Sequence, residues 1–120
     1  MEIKARQRNE IVILDLCGRI DVNSANLIEV VGQCIRDGWR DILCNFEEVE
    51  FIDYMWISVV AIAYKEVMNN KGRMRFVNVQ AHLKKLFSIT GLDRVIEFYA
   101  SEDLAVNSFK IGRASCRERV

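Results

Sequence analysis

Few side chains in this 120-residue chain have the chemistry of a catalytic or metal site, and their spacing argues against one. His82 is the only histidine, and the sequence identifies no nucleophile to pair with it. The four cysteines, Cys17, Cys34, Cys44 and Cys116, are widely spaced with no CxxC pair, so neither a zinc site nor a dithiol redox site of familiar spacing is expected. Cys17, Cys34 and Cys44 fall inside apolar patterns, where a free thiol packs like a small hydrophobe and makes a poor nucleophile. All three are therefore expected to be buried and reduced. No GxGxxG, GxxxxGKS/T, GxSxG elbow or HExxH occurs. The sequence thus predicts a protein that is not an enzyme, with no cofactor and no metal.

The informative stretch is Phe51 to Ser58, FIDYMWIS, where a β-rich apolar run ends at Asp53 and a helix begins with three bulky residues. First turns favour Pro, Asp, Glu, Ser or Thr, because the orphan amides there seek oxygen partners and the helix dipole favours negative charge. Tyr54, Met55 and Trp56 supply none of this, so a contact surface is expected. Asp53 suits either a cap or a contact. Behind the turn, Ile57, Val60, Ala61, Tyr64 and Met68 form the stripe expected to lie on a sheet. Met55, Trp56, Val59, Ile62 and Ala63 fall mostly off it, leaving the helix start apolar nearly all round. Trp56 is read as the anchor of a protein-binding patch, since Trp and Tyr are enriched at hot spots. The competing reading folds its ring back to close a gap.

The elements that must position this stretch alternate. Ile3 to Gln7, a turn at Asn9-Glu10 and Ile11 to Cys17 predict an antiparallel strand pair ended by Gly18. Asn23 or Ser24 can cap a helix whose Leu27, Ile28, Val31, Cys34 and Ile35 share a face, with Gly38 as its stop and Trp39 as a lid. A strand over Ile42 to Phe46, with Val49 to Ile52 leading on, precedes a helix from Tyr54 to about Asn70. Met74 to Val79 reads as a strand, and Leu83, Leu86, Phe87 and Thr90 as one helical face closed by Gly91. Val95 to Phe98 is a last short strand, and Ser101 caps a final helix. His82, Lys84 and Lys85 look like a solvated face. The order β-β-α-β-α-β-α-β-α predicts one α/β domain over residues 1–110, a mixed and mostly parallel sheet of four to five strands with helices mainly on one side.

Net charge is zero and 51% of residues are apolar, enough for one core and too little chain for two domains. Residues 111–120, IGRASCRERV, have no clear period and read as a tail, either vector read-through or a genuine basic extension. Without its three arginines and one glutamate, 17 basic and 17 acidic groups become 14 and 16. Neither part offers the one-face basic stripe of a nucleic-acid binder. No signal-peptide core and no membrane-spanning run is found, so a cytoplasmic protein is expected.

Four segments, GRID (Gly18 to Asp21), FID (Phe51 to Asp53), MRFVNV after Gly72 (Met74 to Val79) and LFSITGLDRVIEFY (Leu86 to Tyr99), together resemble the STAS domain of bacterial anti-sigma factor antagonists over roughly residues 3 to 109. The resemblance implies a non-enzymatic, partner-switching role in transcription regulation and signal transduction. In that branch the aspartate of FID is followed by Ser-Ser-Gly-Leu, and the first serine accepts phosphate from a kinase-like anti-sigma factor. That phosphate adds nearly two charges within the docking surface and switches binding off.

This chain keeps Asp53 but places Tyr54, Met55 and Trp56 where the two serines and glycine would stand, with Ile57 for the leucine. The serine switch is therefore absent from its usual position. Ser58, one turn beyond Tyr54, is a weak substitute acceptor. The resemblance implies a contact surface of Asp21, Asn23, Ser24, Asp53, Tyr54, Met55, Trp56 and Val59, and an anti-sigma factor or related serine kinase-like protein as partner. Alternatives are a self-associating or scaffold STAS subunit of a sensory complex, including a homodimer, and a receptor for a nucleotide or lipid. Neither nucleic acid nor membrane insertion is expected.

Overall fold

A computed structural model describes residues 2–21 and 26–118 of the chain. The first two alternating runs pair because Asn9, at φ 57°, turns the chain: β1 (Glu2–Arg8) runs antiparallel to β2 (Ile11–Ile20), with Arg8 opposite Ile11 and Glu2 opposite Cys17. Gly18, at φ 97°, ends that pairing, as the sequence predicts. β2 nevertheless continues to Ile20 along β3 (Asp41–Ile52), with register shifts between Asp15 and Cys17 and between Gly18 and Arg19. β3 is one strand of 12 residues rather than a strand with a separate lead-in. β4 (Arg73–Val77) and β5 (Glu97–Tyr99) complete a five-stranded sheet in the order β1-β2-β3-β4-β5, of which the last four strands are parallel.

The side-chain period of two sorts each strand between two cores. On one face α1 (Asn26–Arg36), α2 (Ile57–Asn69) and α3 (Ala81–Thr90) enclose Leu14, Leu16, Cys44, Phe46 and Phe76. On the other, α4 (Glu102–Glu118) sets Ala105, Val106 and Phe109 over Ile11, Ile13, Leu43 and Val77. Three helices on one face and one on the other match the expected architecture. The backbone of α4 runs on into the segment read as a tail. Ser101 caps it, its Oγ accepting from the Leu104 N–H at 3.3 Å.

The start of α4 is clamped to the antiparallel edge. Arg6 pairs with Asp15 at 2.6 Å and also with Glu102, while Arg8 reaches Glu102 and Asp103, each at 2.7 Å. Asn45 donates to Asp15 at 2.8 Å and accepts from Asn78 at 3.1 Å, extending the network across three strands to the turn after β4. Burial alone would raise the Asp15 carboxyl, yet hydrogen bonds from Arg6 and Asn45 outweigh it and hold the carboxyl below its ordinary value. Glu102 is held low chiefly by the Arg6 hydrogen bond. Midway along α4, Arg73 pairs with the buried Asp41 at 3.0 Å and donates to the Phe109 carbonyl at 2.8 Å.

Two expectations about burial are corrected. Cys17 is exposed, unlike Cys34 and Cys44. It follows Ile11, Ile13 and Asp15 on the α4 face, but the first turn of α4 already meets Arg6 beside Asp15, so Cys17 lies past the end of the helix that would have covered it. The stripe on α2 is also rotated. Trp56, Ile57, Val60, Ala63 and Val67 are buried, whereas Ala61 and Met68 are exposed and Tyr64 is half-buried. Rolling the helix this way puts the largest ring of the segment into the core, and Tyr64 and Met68 lie at the margin instead.

Candidate functional site

The start of α2 is built by its cap. Asp53 is extended, at φ −70° and ψ 137°, and its carboxylate accepts from the Met55 N–H at 2.8 Å, one of the donors that a helix start leaves unsatisfied. Its own N–H donates to the Ile20 carbonyl at 2.7 Å, tying this turn to the end of β2 and so to the segment carrying Asp21. Tyr54 to Trp56 then form one 3-10 turn before α2 proper. Ser58 donates from Oγ to the Met55 carbonyl at 2.8 Å, which engages the hydroxyl in the same turn.

That geometry splits the three bulky residues. Tyr54 and Met55 are 53% and 61% exposed, whereas Trp56 is wholly buried, its ring 6.4 Å from that of Phe46. Reading Trp56 as a surface anchor is thus corrected: the indole belongs to the core, because a 3-10 turn of three residues points successive side chains about 120° apart and only one of them can face the sheet. Of the other expected contact residues, Asp21 is exposed, Asp53 and Val59 are half-buried, and Asn23 and Ser24 lie outside the described residues.

The structure adds neighbours. An apolar groove of about 340 Å³ runs from Tyr54 and Met55 past Ser58 and Ala61 to Thr90 and Leu92 at the end of α3. The sequence places Ala61 on the stripe facing the sheet and Thr90 on one face of α3; both line this groove instead. Phe51, 42% exposed, lies under the Arg19 guanidinium, 4.8 Å from its ring centre. A strand end with Ile52 turned inward and Phe51 outward was the available signal for it. Among the described residues no group of three His, Cys, Asp or Glu side chains could hold a metal ion. Nor is any helix among them long and apolar enough to cross a membrane.

The STAS domain family model matches residues 2–105. The anti-sigma-B factor antagonist of Bacillus subtilis is 23% identical over 103 residues, covering 86% of this chain and 94% of that protein. A Thermotoga maritima protein of known crystal structure superposes with a TM-score of 0.80 at 21% identity, covering 88% of this chain and 92% of its own. The anti-sigma factor antagonist SpoIIAA in its unphosphorylated form superposes with a TM-score of 0.72 at 20% identity, covering 91% and 98%. These two structural likenesses are likenesses of fold. With the family model spanning both the strand that leads into Asp53 and the helix that follows it, the chain belongs to the STAS domain family.

Proposed function

We propose that this protein is the antagonist-like component of a partner switch, binding a kinase-like anti-sigma factor through the start of α2 without the serine phospho-switch. The observation that carries the reading is the exposure of Tyr54 and Met55 side by side on a turn fixed by Asp53. Single exposed apolar residues are ordinary, but a contiguous apolar patch marks an interaction surface, and Tyr54 and Met55 share one groove; Tyr is enriched at hot spots and Met adapts to irregular partners. The names of the curated relatives, antagonists of anti-sigma factors, support the kind of partner. Asp21, Asp53, Tyr54, Met55 and Val59 are assigned to the contact, with Asn23 and Ser24 beside them in sequence. Trp56 acts from beneath, holding the turn against Phe46.

No aliphatic hydroxyl stands at residues 54 to 56, so a serine kinase has no acceptor there and the charge that would disrupt docking is not delivered. The test is a binding titration with a kinase-like anti-sigma factor recovered from the native host by pull-down with this protein. Tyr54→Ala with Met55→Ala should weaken it by about 2 kcal/mol or more, as hot-spot truncations do. Unchanged affinity would overturn the assignment of the surface. The apolar groove beside Tyr54 favours a second reading, self-association through the same turn, which sedimentation over a range of concentrations distinguishes.

A further inference from the structure

We propose that the groove between α3 and the open edge of β5 receives an extended acidic segment of a partner protein, laid beside β5 as an added strand. β5 ends the sheet and is paired only on its β4 side. There the Tyr99 carbonyl accepts from the Asn78 N–H at 3.2 Å, so the alternation of the strand turns the N–H and carbonyl of Phe98 toward the open side. Along this side runs a groove of about 620 Å³, bounded by Lys84, Lys85 and Ser88 of α3, by Asp93 and Arg94, and by β5 itself.

The two edges of the sheet differ in their protection. β1 carries Lys4, Arg6 and Arg8 on alternate positions, and Arg6 and Arg8 are tied to the start of α4, a guard against further pairing. β5 has an acid at Glu97, but Arg75 holds it at 2.6 Å and the Tyr99 hydroxyl donates to it at 3.0 Å. Glu97 therefore does not neutralise the groove. Among the described residues Lys85 and Arg94 have no carboxylate in ion-pair reach, and Lys84 sits 5.7 Å from the Phe98 ring centre. Asp93 alone opposes three cations, a local excess on a chain of zero net charge.

An open, half-polar groove beside a strand edge suits an extended chain better than a compact small molecule, whose sites enclose the ligand in mostly apolar walls. With three residues in β5, only a few backbone bonds can form. The cations must then supply much of the selectivity, and binding must be sensitive to salt. This groove shares no lining residue with the one at Tyr54, so the proposal stands independently of the function assigned there.

The experiment titrates the full chain with a blocked heptapeptide of alternating Glu and Val, following amide shifts by NMR. Shifts centred on Phe98, Ser88 and Arg94, and an affinity at least tenfold weaker at 0.5 M salt than at 0.05 M, are expected. The exposed triple variant Lys84→Glu, Lys85→Glu, Arg94→Glu should lose at least tenfold in affinity while keeping its melting temperature. A peptide N-methylated on alternate residues of its pairing edge should also lose binding. Four outcomes would overturn the proposal: equal binding by the triple variant, equal binding by the N-methylated peptide, shifts centred on Tyr54, or ATP binding in the same groove as tightly as the peptide.

Discussion

Trp56 packs edge-on against Phe46, their ring centres 6.4 Å apart and their planes at 72°, with both rings wholly out of water. Phe46 in turn touches Phe76 at 4.8 Å and Phe87 at 6.1 Å, so the indole is the end member of an aromatic cluster reaching from α2 across the sheet to α3. Truncation to Trp56→Ala removes its share of that cluster and leaves a cavity, which in comparable cores costs about 3–5 kcal/mol. In a domain of ordinary stability, about 5–15 kcal/mol, that is a large fraction. Urea denaturation should reveal it as a lowered midpoint with an unchanged slope. A variant of wild-type stability would return the ring to the surface.

The buried indole also limits how a serine switch could be restored. Replacing residues 54 to 56 by Ser-Ser-Gly would remove a core ring, so loss of folding would mask any gain of phosphorylation. Tyr54→Ser alone avoids this, since Tyr54 is half exposed and at the position that the family resemblance assigns to the acceptor. Given an anti-sigma factor kinase and ATP, the natural chain should take up no phosphate at residues 54 to 56, and Tyr54→Ser should take it up. Mass spectrometry of the digested protein checks both, and phosphate on the natural Tyr54 would contradict the first.

How much was legible follows from which forces act locally. Asn9, Gly18, Gly91 and Ser101 mark turns and caps whose chemistry depends on a few neighbouring residues, and each holds its expected place. The segments quoted for the STAS resemblance likewise lie where the fold needs them. Helix phase is not local. The stripe Ile57, Val60, Ala61, Tyr64, Met68 and the observed set Trp56, Ile57, Val60, Ala63, Val67 differ by a roll of the helix, and Phe46, ten residues before Trp56 and on another element, decides between them. The exposure of Cys17 has a similar cause: the strand pattern gives the face, but only the position of α4 tells how far along that face the cover extends. The Tyr54 groove draws its far wall from Thr90 and Leu92, which no spacing around residue 54 reveals.

The cysteines separate by reactivity. Burial pushes the Cys44 thiol up to about 12 and raises that of Cys34 as well, which disfavours the reactive thiolate, while Cys17 is open to solvent. In a Cys116→Ser variant, a thiol reagent should label Cys17 within the mixing period and Cys34 and Cys44 only as the protein opens. Intact-mass measurement over time should give one fast addition followed by two slow ones. Three additions at one fast rate would contradict the burial of Cys34 and Cys44.

The clamp between Arg6, Asp15 and Glu102 makes an acid-side prediction. Both carboxyls lie below their ordinary values in the folded chain, so the native state releases protons that the unfolded state, with values of about 4, still binds. Their contribution to stability is therefore present above the unfolded values and is lost as pH falls through the folded ones. Urea midpoints should be level near neutrality and decline below about pH 4, with amides of α4 exchanging earlier than those of α1. Arg6→Ala removes the hydrogen bonds that hold both carboxyls low. Because Arg6 is 44% exposed, the loss at pH 7 should be modest, about 0.5–1 kcal/mol. The more telling readout is the slope. With Arg6 gone, Asp15 retains the burial that raises its carboxyl, with the Asn45 hydrogen bond and the weaker charge of Lys4 to offset it, and Glu102 keeps only Arg8. The decline in acid should become shallower and finish at higher pH, because its onset is set by the unfolded values, which the substitution leaves unchanged. An acid limb identical to that of the parent would mean that these carboxyls are not linked to folding through Arg6.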